Sequence, residues 1–308
     1  MLLRLVALAT HAWLRLLGFH RLRRSIGEWR LVFYRMGRGG EPFVLLHGLG
    51  SNALSWSAVA RRLARTSRLL VPELSAIGGT RGPRAALDVA SGPTVLAELM
   101  RRELAGEPAT VVGLSLGGWL AVRLALAEPS LVSRLILIDA AGYREQDWEA
   151  IRELVTVESD EDVDQMYRAL FRRVPPVFRA SRAGFRRVFG SASVTSLVGK
   201  DGALGEADLY GPEDVARLRM PVGVIWAEHD GLFSAEVGRE MARHLPHGRF
   251  YLVPGVGHGL HWEAPDRLVE AIEACRRDLP AIAAPSPAGL GPRPGTDEGP
   301  QPGSFTAE

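Results

Sequence analysis

The segment Gly113-Leu114-Ser115-Leu116-Gly117-Gly118 constrains this chain more than any other. It follows a short apolar run, ATVVGLS, that reads as a buried strand, and it opens a run of helical character, LGGWLAVRLALAEP. Glycines on both sides of a serine at a strand-to-helix junction permit a turn so sharp that side chains there would collide with the strand or the helix. The serine is then held in a strained backbone conformation with its hydroxyl projected outward. The helix that follows directs unpaired N–H groups and the positive end of its dipole to the same spot, which favours a developing negative charge. Ser115 is therefore the candidate nucleophile. The bland alternative is a chance match in a small-residue turn, and the strand before and helix after it argue against that.

The rest of the chain keeps the same strand and helix rhythm. From residue 29, WRLVFYRM alternates and ends at Gly-Arg-Gly-Gly, and PFVLLHG follows as a continuous apolar run, so the two read as a hairpin. RLLVPEL, RLILIDAAG, PVGVIWAEHD and RFYLVPG read as further strands, while SNALSWSAVARRLARTS, VLAELMRREL and DRLVEAIEACRRDL read as helices. Short, continuously apolar strands alternating with helices predict a mostly parallel sheet covered on both faces. The rhythm breaks between about Tyr143 and Pro221, where the chain is mostly helical with interleaved Phe, Tyr and Arg and a Pro175-Pro176 pair. Residues 29–142 and 215–280 are thus expected to form the core. Residues 143–214 are expected to form a helical cap over the carboxyl ends of the strands, where open α/β sheets bind ligands.

Composition narrows the remaining choices. The chain has 308 residues, 46% hydrophobic and 23% charged, with a formal charge of +2. That balance does not suggest nucleic-acid binding. The lone Cys275 can form no internal disulfide, and in RLVEAIEACRRDL it reads as structural. Residues 281–308, rich in Pro, Gly, Ala and Ser without apolar period, read as a disordered tail. The start, MLLRLVALATHAWLRLLGFHRLRRS, is apolar with interspersed Arg and His. It lacks a cleavage site after its apolar run, and that run is short for a spanning helix. Two readings of residues 1–28 stand side by side. Residues 1–24 could be an amphipathic helix on a membrane surface followed by the basic cluster Arg21, Arg23 and Arg24, or a helix against the protein's own body. A cytoplasmic protein, with membrane association through this segment left open, is the expectation.

A serine hydroxyl needs a base. His258, in PGVGHGLHWEAP, lies in the loop between the last strand and the last helix, at the edge from which an imidazole can reach Ser115. His261, three residues on, is its rival. His229, His244 and His247 sit in poorer places. The base needs a carboxylate to fix its tautomer. Asp230 ends the strand PVGVIWAEHD and gives the order Ser115, Asp230, His258. Asp139, at the end of LILIDAAG, is the alternative acid, and Glu228 is worse aimed. The anion formed on attack needs donors. The N–H of Leu116 is one, and the loop His47-Gly48-Leu49-Gly50 offers that of Leu49, with His47 read as a structural brace.

Taken together, His47-Gly48-x-Gly50, Gly113-x-Ser115-x-Gly117-Gly118, Asp230 and Gly257-His258 resemble the α/β-hydrolase superfamily, over roughly residues 29–280. The resemblance implies the α/β-hydrolase fold with a cap inserted after the sixth strand, and a Ser-His-Asp triad. Relatives that open epoxides or carbon–halogen bonds carry Asp at the elbow, so Ser115 points away from both. The cap and the lipophilic start are similar to monoacylglycerol lipase-like enzymes and bacterial lipases. One departure matters: many relatives have Asp-x-Pro-Gly-x-Gly-x-Ser where this chain has Glu73-Leu74-Ser75-Ala76-Ile77-Gly78-Gly79-Thr80, so contacts from that loop do not carry over. The expected activity is hydrolysis of an apolar carboxylic ester with a medium or long acyl chain, through an acyl-enzyme, with no metal or organic cofactor. The same triad also serves C–C, amide and lactone hydrolysis. A non-catalytic binding protein on the same scaffold is the reading of another class.

Overall fold

The structure is a computed structural model that describes residues 13–198 and 205–282. Its eight strands are β1 (His20–Ile26), β2 (Trp29–Met36), β3 (Glu41–Leu46), β4 (Ser67–Pro72), β5 (Ala109–Leu114), β6 (Val132–Ile138), β7 (Val222–Ala227) and β8 (Gly248–Val253). They form one sheet in the order β1-β2-β4-β3-β5-β6-β7-β8. From β4 through β8 neighbouring strands run parallel, while β1 with β2 and β2 with β4 are antiparallel. Every residue of β5, β6 and β7 is buried, which is why these strands read as unbroken apolar runs rather than alternating ones.

Helices cover both faces, as expected. On one face lie α2 (Gly92–Glu103), α3 (Leu116–Ala127) and α10 (Ala235–His244); on the other, α1 (Ser57–Leu63) and α12 (Pro265–Asp278), which follows the short α11 (Leu260–Glu263). The period of two along β6 divides its side chains accordingly. Leu135 and Leu137 join the core under α2 and α3, and Ile136 and Ile138 join the one under α1 and α12. Cys275 of α12 is buried against Gly223 of β7, a packing position.

Two local readings of the sequence are corrected. WRLVFYRM and PFVLLHG are not a hairpin: β2 pairs with β1 and β4, and β3 is inserted between β4 and β5. The Gly-Arg-Gly-Gly turn reverses the chain, but β3, buried along five of its six residues, lies between β4 and β5, where both of its edges are paired. In addition, residues 20–24 are not helical, and the basic cluster lies in a strand. Arg21, Arg23 and Arg24 lie on β1, in register from His20 opposite Arg35 to Ile26 opposite Trp29. Its mostly exposed, cationic side chains suit an edge strand that must resist further pairing. Arg24 reaches Glu103 of α2 at 2.6 Å.

Of the apolar start, residues 13–16 form a helical turn. Leu14 and Phe19 are buried with Tyr34 and Trp56, while Trp13 and Leu16 face outward. Residues 1–12 lie outside the described residues. Among the described residues no helix is long and apolar enough to cross a membrane. At the other end Ile282 N–H donates to Ser133 O at 3.1 Å. The tail expectation otherwise falls on residues 283–308, outside those described.

Between β6 and β7 the chain leaves the sheet and forms α4 (Trp148–Val155), α5 (Asp160–Leu170), α6 (Pro176–Ala180), α7 (Arg182–Phe189) and α8 (Ala192–Val198), before returning through α9 (Pro212–Val215). Met166, Phe185 and Val188 of these helices share one cavity with Leu49, Ser115 and His258, which stand just beyond the carboxyl ends of β3, β5 and β8. The helices therefore form a cap over that edge of the sheet.

Candidate active site

Ser115 sits between β5 and α3 with φ 54° and ψ −119°, a conformation that non-glycine residues rarely adopt. The neighbours explain why the turn holds. A Cβ on Gly113 would run into the carbonyl of Gly117, and one on Gly117 into that of Leu46. Strand, turn and helix therefore touch backbone to backbone, and only glycine fits. Ser115 O accepts from Gly118, Trp119 and Ala141 N–H, at 2.8, 3.2 and 3.1 Å, so the strain is held by hydrogen bonds. Leu116 is the first residue of α3, where an N–H has no partner inside the helix.

His258 and Asp230 meet beside it. His258 Nδ1 lies 2.8 Å from Asp230 Oδ2. Asp230 Oδ1 accepts from Leu232 and Phe233 N–H at 2.8 and 3.0 Å, which fixes the carboxylate at the start of the DGLF turn. Its side chain is fully buried and that of His258 nearly so. With Nδ1–H donated to the carboxylate, the other ring nitrogen is left as the acceptor. His258 and Ser115 line the same cavity.

The rival residues fall elsewhere. His261 also lines the cavity, but it is packed near Trp56 with no carboxylate partner among the described residues. Burial, helped by the nearby rings of His258 and His47, pushes its pKa down to about 3, so it stays neutral. Glu228 is exposed and accepts from Gly255 N–H at 2.7 Å. Asp139 is fully buried at the end of β6 with φ 44°. One of its oxygens accepts from Ala227 N–H at 2.8 Å, and the other has no hydrogen-bond partner among the described residues. Burial first, and the charge of Asp230 second, push its pKa well above the carboxylate range. Donor atoms of Asp139, Asp230 and His258 lie within 4.8 Å of one another, close enough to chelate a cation. Asp230, however, already spends both oxygens on His258 and two amides.

The loop after β3 is braced from below. His47 Nδ1–H donates to Gly48 O at 2.9 Å, and its Nε2 accepts from Leu74 N–H at 3.1 Å. His47 thus ties the loop carrying Leu49 to the chain after β4. In that divergent segment Glu73 is buried and accepts from Ala53 N–H at 3.1 Å, so it is an internal strut. Leu49 and Leu116 both line the cavity beside Ser115.

One part of the site has no signal in the sequence pattern. The end of α5 and the residues after it rest on the two loops that carry the acid and the base. Gly231 N–H donates to Ala169 O at 3.0 Å, and Gly259 N–H to Leu170 O at 2.6 Å. Glu263 accepts from Gly257 N–H at 2.7 Å and from Arg173 N–H at 2.5 Å. Glycine is required at 231, 257 and 259 because a Cβ there would enter residues 169–172. Only the tertiary contact reveals why these glycines flank Asp230 and His258.

The cavity measures about 320 Å³ and its wall is chiefly apolar. Phe171, Phe178, Phe185 and Phe189 form a chain of ring contacts, with centroids 4.5 to 6.4 Å apart. Such a wall suits an alkyl chain, with polar groups confined to the end where Ser115 and His258 stand.

A model described as alpha/beta hydrolase fold matches residues 41–265. Lipase 1 of Psychrobacter immobilis is 27% identical over 267 residues, covering 82% of this chain and 82% of that protein. A pimeloyl-acyl-carrier-protein methyl ester esterase of Pectobacterium atrosepticum is 29% identical over 262 residues, covering 79% of this chain and 97% of the relative. Among solved structures, a thermophilic esterase from Thermogutta terrifontis superposes with a TM-score of 0.68 at 24% identity, over 84% of this chain and 99% of that one. That last likeness is one of fold.

Proposed function

The chain belongs to the alpha/beta hydrolase fold family, esterase and lipase type, and on that premise we propose that it hydrolyses an apolar carboxylic ester through a covalent acyl-enzyme. The observation that carries this reading is the 2.8 Å pairing of His258 with Asp230 beside a strained Ser115 on the wall of one apolar cavity. In this reading Ser115 Oγ attacks the ester carbonyl while His258 Nε2 takes its proton. Asp230 holds the imidazole in the needed tautomer and stabilises the cation that forms. The N–H groups of Leu49 and Leu116 bind the oxyanion. His258 then protonates the departing alkoxide, activates water against the acyl-serine and returns the proton to Ser115. Nucleophile, base, acid and oxyanion donors all come from the chain, so the scheme calls on no metal or organic cofactor. The cap, which we assign to residues 143–214, sets the acyl chain that fits.

The test is a series of p-nitrophenyl esters of increasing chain length, assayed with the wild-type protein and with Ser115→Ala. Turnover that peaks above acetate and vanishes in Ser115→Ala is the expected result. Absence of turnover on every ester by folded protein would overturn the reading. Turnover of a vinylogous diketone in its place would move it to C–C hydrolysis by the same triad.

A further inference from the structure

The charge of the cap is distributed in a way that the triad chemistry does not use. From residue 165 to residue 200 the chain contains seven arginines and a lysine but no Asp or Glu, although the whole chain carries only +2. Two of the arginines are neutralised by the preceding acidic turn, Arg182 by Asp164 and Arg186 by Asp160. Arg168 lies near Asp164, one turn earlier on α5, and the other four, Arg172, Arg173, Arg179 and Arg187, are exposed with no acidic partner among the described residues. Arg179 opens with Arg168, Arg182 and the acidic Asp164 onto a hollow of about 400 Å³ beside α5 and α6.

The same surface carries the mouth of the catalytic cavity. Val177 of α6 is 56% exposed, yet it also lines that cavity, as do the exposed Ser181 and Gly184. Arg187 is three residues from Gly184 along α7, hence on the neighbouring strip of the helix. An apolar residue at a lipophilic opening, set among unpaired guanidinium groups, matches the chemistry of a lipid surface. Guanidinium forks bind phosphate oxygens, and an apolar side chain enters the acyl layer beneath. A single small anion could not span arginines placed on three elements. An acidic protein would answer the charge but not the exposed Val177 at the opening.

We propose that the outer face of α6 and α7 docks this protein on an anionic lipid–water interface, so that an ester leaves the lipid layer and enters the cavity past Val177. The inference rests on the ester-hydrolase reading of the site, and it names the source of the substrate. It is separate from any contact by residues 1–24.

The experiment uses the full chain and vesicles of phosphatidylcholine with or without phosphatidylglycerol, read by co-sedimentation. Each basic residue near such a surface strengthens binding about fivefold. Replacing Arg172, Arg173, Arg179 and Arg187 together by Gln should therefore weaken binding to phosphatidylglycerol vesicles by a factor on the order of several hundred. The matching four-Lys variant should keep most of it, and thermal melting checks that both remain folded. Raising the salt should weaken the wild type strongly. Binding to phosphatidylglycerol vesicles that is unchanged in the Gln variant overturns the proposal, and so does equal binding to pure phosphatidylcholine. Arginine-dependent capture by an acidic carrier protein, without vesicle binding, assigns the face to a protein and also overturns it. Turnover of a water-soluble ester by the wild type, measured alongside, separates failure of docking from failure of the hydrolase reading.

Discussion

Asp139→Asn should stabilise the protein, and by an amount that grows as the pH rises. Asp139 is fully buried, with one oxygen satisfied by Ala227 N–H and the other unpartnered beside Asp230. Its folded pKa is raised well above the ordinary 3.8, by burial first and by the Asp230 charge second. In the window above 3.8 the native state therefore holds a proton that the unfolded chain has released. Stability then falls with rising pH, by up to about 1.4 kcal/mol per pH unit for one proton, until the folded group itself ionises. Because Asp139 and Asp230 interact, the upper end of that window belongs to the pair. Asn keeps the shape and the bond from Ala227, tolerates the left-handed backbone, and cannot titrate. It also replaces an oxygen that repels the nearby Asp230 carboxylate with an NH2 group. For a chain of this length 1 kcal/mol corresponds to about 2 °C in Tm. Melting curves of both proteins across about pH 4.5–7 should show the variant higher, with the gap widening by roughly 2–3 °C per pH unit within the window. Parallel curves would refute the reasoning, since they would mean that Asp139 is ionised in the native state or carries no burial penalty.

Other expectations follow from the same geometry. Asp230→Asn should lower kcat on the best ester by about 10⁴-fold, the loss seen when a triad acid is replaced by its amide; a loss under tenfold would remove Asp230 from the mechanism. Gly117→Val should fail to give folded, soluble protein, because its side chain would displace the backbone of Leu46; a normal melting curve would contradict the contact at the elbow. His261→Asn should leave the acid limb of the kcat/KM profile in place, since His261, with a pKa of about 3, is neutral throughout the working range; a shifted limb would make it a titrating participant. Phe185→Ala should cost about 3–5 kcal/mol of stability, read by urea unfolding, and move the preferred ester to longer chains, because it removes a buried ring from the cavity wall.

Legibility followed how local each determinant is. The elbow was readable because Gly113 must clear Gly117 and Gly118 within the turn itself, although Gly117 also packs on the distant Leu46 of β3. The strands β5 to β7 were readable because burial on both faces leaves an unbroken apolar run. The choice between Asp230 and Asp139 was not fixed by pattern, as both end adjacent parallel strands. What separates them is the turn that follows: at Asp230 the next amides fold back onto the carboxylate, whereas Asp139 points into a closed interior. The strand β1 escaped notice because four of its seven residues are His or Arg, which masks the pairing an edge strand needs. The partnership of β2 with β4 rather than β3 is a long-range pairing that a short glycine turn does not reveal. The seating of residues 169–172 on Gly231, Gly257 and Gly259 joins segments far apart in sequence, and nothing in either segment alone shows it.

The central claim is that Ser115 is the nucleophile, and a fluorophosphonate probe tests it most directly. The wild-type protein should gain one adduct by intact mass, mapped to the peptide containing Ser115, and Ser115→Ala should gain none. An adduct that persists in Ser115→Ala, or a folded wild type that takes up no probe, would contradict the account.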